Sequence, residues 1–292
     1  MQGSMRKVLE FIGMDGLGND FVIADARGVA GFALTTEQVR RLAARANPHT
    51  QGCDQVIVME DAQGGAADCF MRIYNQDGSE VDACGNATRC VGWLLLAGEK
   101  CGKASIRTKA GLLEAALSEG KNVTVDMGAP HLNGQEIPLG WECDTLHLPV
   151  VVGALKDGVA VSMGNPHAVF FMEEDVDSVD LETLAPRVQQ WEQGGKKLFP
   201  QGVNVGVVNV LSRTEIKLRV YERGVGETLA CGTGACAAAV AAMRRGYTAR
   251  SVVLHLRGGD LNVLWQENDA VLMTGAVNLR WRKKATLAEM LA

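Results

Sequence analysis

Two cysteines in this chain stand in the same local setting. Arg72-Ile73-Tyr74 leads to Glu80 and then to Ala83-Cys84-Gly85-Asn86. Arg219-Val220-Tyr221 leads to Glu227 and then to Ala230-Cys231-Gly232-Thr233. Both runs fit R-[IV]-Y-x5-E-x2-A-C-G-[NT] without a gap, and the cysteines lie 147 residues apart, about half the chain. Each is followed by an apolar stretch of helical character, Thr88–Ala97 and Gly234–Arg245. A helix start presents unpaired backbone N–H groups and the positive end of the dipole. It therefore binds anions, carboxylates included, and lowers a cysteine pKa from about 8.5 toward neutrality. Asn86 and Thr233 are capping residue types. Gly85 and Gly232 let a ligand approach the backbone closely.

Such a pair suits inversion at an amino-acid α-carbon. Two helix starts would clamp one carboxylate, with a thiol on each side of the carbon beside it. One thiolate would remove the α-proton and the opposite thiol would deliver a proton to the other face, a task that favours pKa values near the working pH. A cysteine taken singly is more often a small buried hydrophobe. That reading stands for Cys53, Cys69, Cys90, Cys101, Cys143 and Cys236, with Cys90 and Cys236 on the two apolar helices. For Cys84 and Cys231 the shared setting outweighs it. Other chemistries lack parts. There is no G-x-x-x-x-G-K-[ST] loop and no H-E-x-x-H. Gly16-Leu17-Gly18 follows no convincing strand, so dinucleotide binding is set aside. Nothing around Lys109 supports a Schiff base, and a cysteine protease would leave the second equivalent cysteine unexplained. No CxxC pair is present, so no metal is expected.

The repeat extends upstream. Gly18-Asn19 begins 66 residues before Cys84, and Gly164-Asn165 begins 67 residues before Cys231. Phe21–Ala24 follows the first and Ala168–Phe171 the second, both apolar and strand-like. Asp54-Gln55-Val56-Ile57-Val58 matches Val203-Asn204-Val205-Gly206-Val207. The period is far too long for a solenoid and reads as two copies of one domain. Strands are expected at 56–59, 69–74, 123–127, 146–152, 159–162, 203–210, 215–221, 252–256 and 270–274. Amphipathic surface helices are expected at 36–46 and 181–191. The two helices after the cysteines are apolar nearly all round and should be buried. The pattern predicts an α+β fold of two pseudo-symmetric halves, each a curled, barrel-like β-sheet around a central buried helix. The halves are drawn at 1–128 with 275–292, and at 129–274. Facing each other, they would place equivalent residues across a shared cleft, a favoured location for a ligand site.

The bulk properties are those of a globular chain. Hydrophobic residues make up 47% and charged residues 22% of 292. The net charge is −5 with no Lys/Arg block, which argues against nucleic acid and anionic membrane as partners. No apolar run reaches the length of a membrane span. The start carries no signal-peptide core, so free thiols in the cytoplasm are the expectation.

The residues resemble the diaminopimelate epimerase family over nearly the whole chain. The matching motifs are Gly16-Leu-Gly-Asn-Asp-Phe21, Asp54-Gln55, Asn75-x-Asp-Gly-Ser79, Ala83-Cys-Gly-Asn86 with Arg89-Cys90, Met163-Gly-Asn-Pro-His167, Val203-Asn204, the long run Tyr221–Ala235, and Met273-Thr-Gly275. The resemblance implies two pseudo-symmetric halves. It also implies interconversion of LL- and meso-2,6-diaminopimelate without pyridoxal phosphate or any other cofactor, on the route to lysine and cell-wall peptide. It makes Cys84 and Cys231 the acid/base pair, with Gly85, Asn86, Gly232 and Thr233 holding the carboxylate of the reacting end. It assigns Asn19, Gln55, Asn75, Asn165, Asn204, Glu222 and Arg223 to substrate binding. His167 and Glu222 would tune the thiols. A small-molecule amino acid is the expected partner, and a homodimer is consistent with the family.

Three positions depart from the family pattern. Asp15 replaces a common His, Thr50-Gln-Gly-Cys53 replaces a Gly-rich stretch, and Ala87 replaces a Gly. A methyl at Ala87 either crowds the carboxylate-binding helix start or only stiffens it. A racemase or isomerase of the same fold acting on another amino acid is the alternative reading. Arg223, Asn75 and Asn204 weigh against it, since a one-ended substrate would not need them. A non-catalytic binding relative should lack one of the thiols, and this chain has both.

Overall fold

A computed structural model of the chain describes residues 7–62, 67–97 and 102–292; Cys101 lies outside the described residues. The chain divides into two compact units, residues 1–125 with 275–292, and residues 126–274.

In the first unit, strands Val8–Gly16 and Asn19–Asp25 form an antiparallel hairpin. Asn19–Asp25 then runs parallel to Gln55–Glu60, which is antiparallel to Cys69–Asn75. Cys69–Asn75 runs parallel to Lys103–Thr108, which is antiparallel to Gly111–Leu117. The second unit repeats the same senses in the same order. Val159–Ser162 is antiparallel to Pro166–Phe171, which is parallel to Asn204–Val210. Asn204–Val210 is antiparallel to Glu215–Glu222, which is parallel to Ser251–Leu256, itself antiparallel to Gly259–Trp265. The duplication read from the cysteine motif is therefore a duplication of topology.

Helix α1 (Thr36–Ala43) and helix α2 (Gly85–Leu96) belong to the first unit, α3 (Leu181–Gln189) and α4 (Gly232–Arg244) to the second. Each unit curls its sheet around one apolar helix. Helix α4 packs against all of the second unit's long strands from Val159–Ser162 through Gly259–Trp265, and α2 against Val8–Gly16, Lys103–Thr108 and Gly111–Leu117. Alanine makes this close wrapping possible in α4, where Ala235 and Ala237–Ala239 are fully buried. The outer face of each sheet carries a second core. In the first unit Leu9, Phe11, Val22, Val56 and Val58 pack with Val39 and Leu42 of α1. In the second, Ala168, Phe170, Val205 and Val207 pack with Leu181, Ala185 and Val188 of α3. Strands covered on both faces read as continuous apolar runs, which is why Val56–Met59 and Val203–Val208 are legible as strands.

Several sequence-based boundaries are corrected. Helices α2 and α4 begin at Gly85 and Gly232, immediately after the cysteines and earlier than the apolar stretches suggest. The last turn of α2 is less enclosed than expected, with Trp93, Leu94 and Leu95 half-buried. Of the strand expected at 146–152, only Val151–Val152 forms. Leu148 N–H does reach Gly158 O, but Pro149 has no N–H with which to continue a ladder. A strand does precede Gly16-Leu17-Gly18, against the expectation. The element after it is a second strand rather than a helix. Leu17 and Gly18 have φ of 58° and 81° and form the tight two-residue turn of that hairpin.

Candidate functional site

The two cysteines cap the two central helices. Cys84 is the N-cap of α2, with φ −149° and ψ 112°, and its Sγ accepts the N–H of Ala87 at 3.5 Å. Cys231 is the N-cap of α4, with φ −124° and ψ 112°, and its Sγ accepts the N–H of Gly234 at 3.4 Å. The extended backbone places each sulfur over the first turn, where a serine or aspartate would ordinarily sit. Among the described residues, no cluster of three or more His, Cys, Asp or Glu side chains could hold a metal ion.

In the first unit the expected amides fall into two groups, one of them at Cys84. Asn19 Oδ1 lies 3.9 Å from the sulfur and accepts from Asn86 Nδ2 at 3.3 Å. Gln55 and Asn75 face each other across neighbouring strands, with Gln55 Nε2 donating to Asn75 Oδ1 at 3.1 Å. Asn75 Nδ2 donates to Ser79 Oγ at 3.2 Å, and the buried Gln55 Oε1 has no hydrogen-bond partner among the described residues.

In the second unit the equivalent positions carry other chemistry. Thr233 Oγ1 lies 3.6 Å from the sulfur. The register that sets Phe21 beside Gln55 in the first unit sets His167 beside Asn204 in the second. Extending the pairing of Val205 with Tyr221 by one residue brings Asn204 opposite Glu222, where the first unit has Gln55 opposite Asn75. Asn204 Oδ1 accepts the N–H of Arg223 at 2.8 Å, and the exposed Arg223 guanidinium donates to Gln201 O. Thr228 Oγ1 donates to Glu222 at 2.6 Å. His167 Nε2 is 3.0 Å from Asn165 Oδ1.

Electrostatics separate the expected roles. Burial, with a further push from the Glu222 carboxylate, raises the Cys231 thiol well above the ordinary value. Thr233 and the Gly234 N–H at the helix start act in the opposite direction. The expected lowering by the helix terminus is thus present but outweighed, because Cys231 is only 5% exposed. Burial, and to a smaller degree the Arg223 charge, lowers His167 to about 3. His167 is therefore a neutral imidazole at neutral pH and supplies no positive charge to a thiol.

The departures from the family pattern find places. Asp15 accepts from Asn278 Nδ2 at 3.0 Å. Ala87 is fully buried in the first turn of α2, next to the also buried Gly85 and Asn86, with its N–H on Cys84 Sγ. Gly234 is its equivalent in α4 and has less room. A Cβ there would meet Val220 at 3.1 Å and Cys231 Sγ at 3.2 Å. We expect Gly234→Ala to push the sulfur aside, lowering both turnover and stability, with overpacking costs of about 1–3 kcal/mol. Ala87→Gly should cost only about 1 kcal/mol of stability. Steady-state kinetics and urea unfolding compare the two; unchanged turnover in Gly234→Ala would show that the sulfur position is not critical.

Sequence reasoning missed Asp20, Arg45 and Asp54. Asp54 Oδ2 accepts from Asn19 Nδ2 at 3.0 Å and from the N–H of Asp20 at 3.0 Å. Arg45 bridges Asp54 at 2.6 Å and Asp20 at 3.0 Å, and Arg280 adds a bond to Asp20 at 3.0 Å. The Asp54-Gln55 pair was visible as a motif, but only its amide invited a functional reading.

Known proteins resemble this chain in sequence and in fold. The family model described as diaminopimelate epimerase matches residues 11–133 and 159–280. The chain is 48% identical over 271 residues to the diaminopimelate epimerase of Rhodospirillum centenum, covering 92% of this chain and 90% of that protein. It is 45% identical over 269 residues to the diaminopimelate epimerase of Acidiphilium cryptum, covering 92% and 93%. Among solved structures, a hydroxyproline epimerase from Agrobacterium vitis shares the fold, with TM-score 0.64, 16% identity, and coverage of 96% of this chain and 91% of that one. A PhzF-family phenazine biosynthesis protein from Bacillus anthracis does so with TM-score 0.63, 16% identity and coverage of 96% and 99%. With its duplicated topology and two cysteine-capped helices, this chain belongs to the diaminopimelate epimerase family.

Proposed function

We propose that the chain interconverts LL- and meso-2,6-diaminopimelate by a two-thiol mechanism that uses no cofactor. The observation that carries this reading is the pair of equivalent cysteine N-caps, at Cys84 and Cys231, in a chain of that family. The helix starts offer N–H groups for the carboxylate of the reacting end, and the two thiols serve opposite faces of its α-carbon. The Cys231 proton is held in place by burial and by Glu222, which fits a resting donor. When the reaction runs in the other sense, Glu222 is the group placed to receive that proton.

The distal amino-acid end needs acceptors for an ammonium and donors for a carboxylate. Asn75, Asn165, Asn204, Glu222 and Arg223 supply both kinds, and Gln55 Oε1 adds a further acceptor. Arg223→Ala should therefore impair diaminopimelate far more than any amino acid with a single α-carbon end. Loss of a charge-assisted hydrogen bond costs roughly 1.5–3 kcal/mol, or about 10–150-fold in kcat/KM. A panel of amino acids assayed without added cofactor tests the reading. Turnover of a one-ended amino acid in preference to diaminopimelate would favour a racemase of the same fold. An equal loss on all substrates in Arg223→Ala would make that residue structural.

A further inference from the structure

We infer that Asp54 is a positioning residue that fixes the Asn19 amide so that its carbonyl faces the Cys84 thiol. The inference rests on the reading of Cys84 as a reacting group. Asn19 stands between two unlike neighbours, Asp54 on one side and Cys84 with Asn86 on the other. Burial and the Asp20 charge push the Asp54 carboxyl upward, but its Oδ2 already accepts the Asp20 N–H and so presents a lone pair to Asn19. Asp54 Oδ2, 3.0 Å away, must therefore receive the Asn19 NH2 group. The carbonyl is left facing the sulfur and the Asn86 amide. Without that constraint the two ends of an amide are nearly interchangeable in shape.

Asp54 is itself held from several sides. Its Oδ2 also accepts the Asp20 N–H at 3.0 Å, and its own N–H donates to Asp20 Oδ1 at 2.8 Å. Arg45 closes the pair by donating to both carboxylates, and Arg280 donates to Asp20. The two aspartates brace each other while Arg45 and Arg280 balance their charge. Asn19 links this cluster to Cys84.

The second unit orients the equivalent amide by a different device. Asn165 corresponds to Asn19, and the position of Asp54 is taken there by Val203, which carries no polar group. The partner of Asn165 is instead His167, at the position of Phe21. A neutral imidazole can donate or accept, whereas a carboxylate dictates a single orientation. The two units thus hold equivalent asparagines with Asp54 on one side and His167 on the other.

A carbonyl facing the thiol favours its protonated form. Releasing Asn19 lets its NH2 group turn to the sulfur, which favours thiolate and speeds alkylation. The test measures iodoacetamide labelling of each cysteine at one fixed pH near neutrality, by peptide mass mapping of the intact chain. Asp54→Ala should accelerate labelling of Cys84 by about three- to tenfold, equivalent to about half to one pKa unit, and leave Cys231 unchanged. Asp54→Asn keeps an oxygen, held toward the Asn19 NH2 group by the Asp20 N–H, and should stay within about twofold of wild type. Equal acceleration at Cys84 and Cys231 would mean general loosening and overturn the inference. So would an unchanged Cys84, or an Asp54→Asn variant as fast as the alanine, which would make charge and not amide orientation the cause. The readout needs no substrate, so it fails or succeeds independently of the proposed reaction.

Discussion

Cys84→Ala and Cys231→Ala are each expected to lose epimerisation almost completely. Each thiol is proposed to serve one face of the α-carbon, so its removal leaves that face without a proton donor or acceptor. A positioned acid/base group contributes about 10²–10⁴-fold, and each single variant should fall at least that far. The two losses should not multiply in the double variant, because either break already stops the cycle. Serine variants should retain slow proton exchange, since a hydroxyl is a weaker acid than a thiol but fills the same N-cap position. The caps make an internal control for folding. Serine is a preferred N-cap residue, so Cys84→Ser and Cys231→Ser should keep α2 and α4 intact by circular dichroism while turnover collapses. An alanine variant with near-wild-type turnover would rule out the two-thiol scheme.

Arg219→Met is expected to be the most destabilising change in the duplicated motif. The R-[IV]-Y-x5-E pattern proves to be an ion pair in each unit. Arg219 binds Glu227 through two bonds, at 2.7 and 2.8 Å, and donates to the carbonyls of Val176 and Val179. Its side chain is only 6% exposed. Replacing it takes the guanidinium from those two carbonyls, which keep only the backbone N–H groups of Val179 and Leu181, and leaves Glu227 with Arg257 as its other cation, at 2.8 Å. Breaking a buried pair by removing one partner costs about 3–5 kcal/mol. Arg72 makes the counterpart contacts to Glu60 at 2.6 Å and to Glu80 at 2.7 Å, but its side chain is 29% exposed. Arg72→Met should cost only about 1 kcal/mol, as solvent-accessible pairs do. Urea unfolding of the two variants measures the difference. Equal losses would show that exposure does not set the value of this pair.

The candidate site was legible where residue type and repetition coincide. Cys84 and Cys231 stood out because two matching runs place a thiol just before a glycine and an apolar helix. Asn19 and Asn165 were found by the same register, and the strand pairings place them in equivalent hairpins. The fold was legible where strands are covered on both faces, as at Val56–Met59. Val8–Gly16 was missed because Glu10, Gly13 and Asp15 interrupt its apolar run. Gly13 is needed there, since a Cβ would run into the Trp281 ring, which comes from a strand at the far end of the chain. Lys103–Thr108 alternates in burial, and Asn278–Thr286 is largely exposed; both carry too many polar residues to announce themselves. The charge state of the site was not legible at all. It depends on how deeply Cys231 and His167 are buried and on Glu222 lying beside the thiol, and neither is written in local sequence.

The most direct measurement of the two-thiol claim tracks the α-proton in heavy water. LL- or meso-diaminopimelate is incubated with the enzyme, and substrate and product are separated while conversion is small. In the proposed scheme each thiol exchanges its proton with solvent, and the group that delivers hydrogen to the product is not the one that removed it. The product should therefore carry deuterium at its inverted α-carbon from the first turnovers, whichever isomer is supplied, while the recovered substrate is still largely protiated. A product that keeps the original protium would mean that one group both removes and returns the proton, and would contradict the assignment of Cys84 and Cys231 to opposite faces.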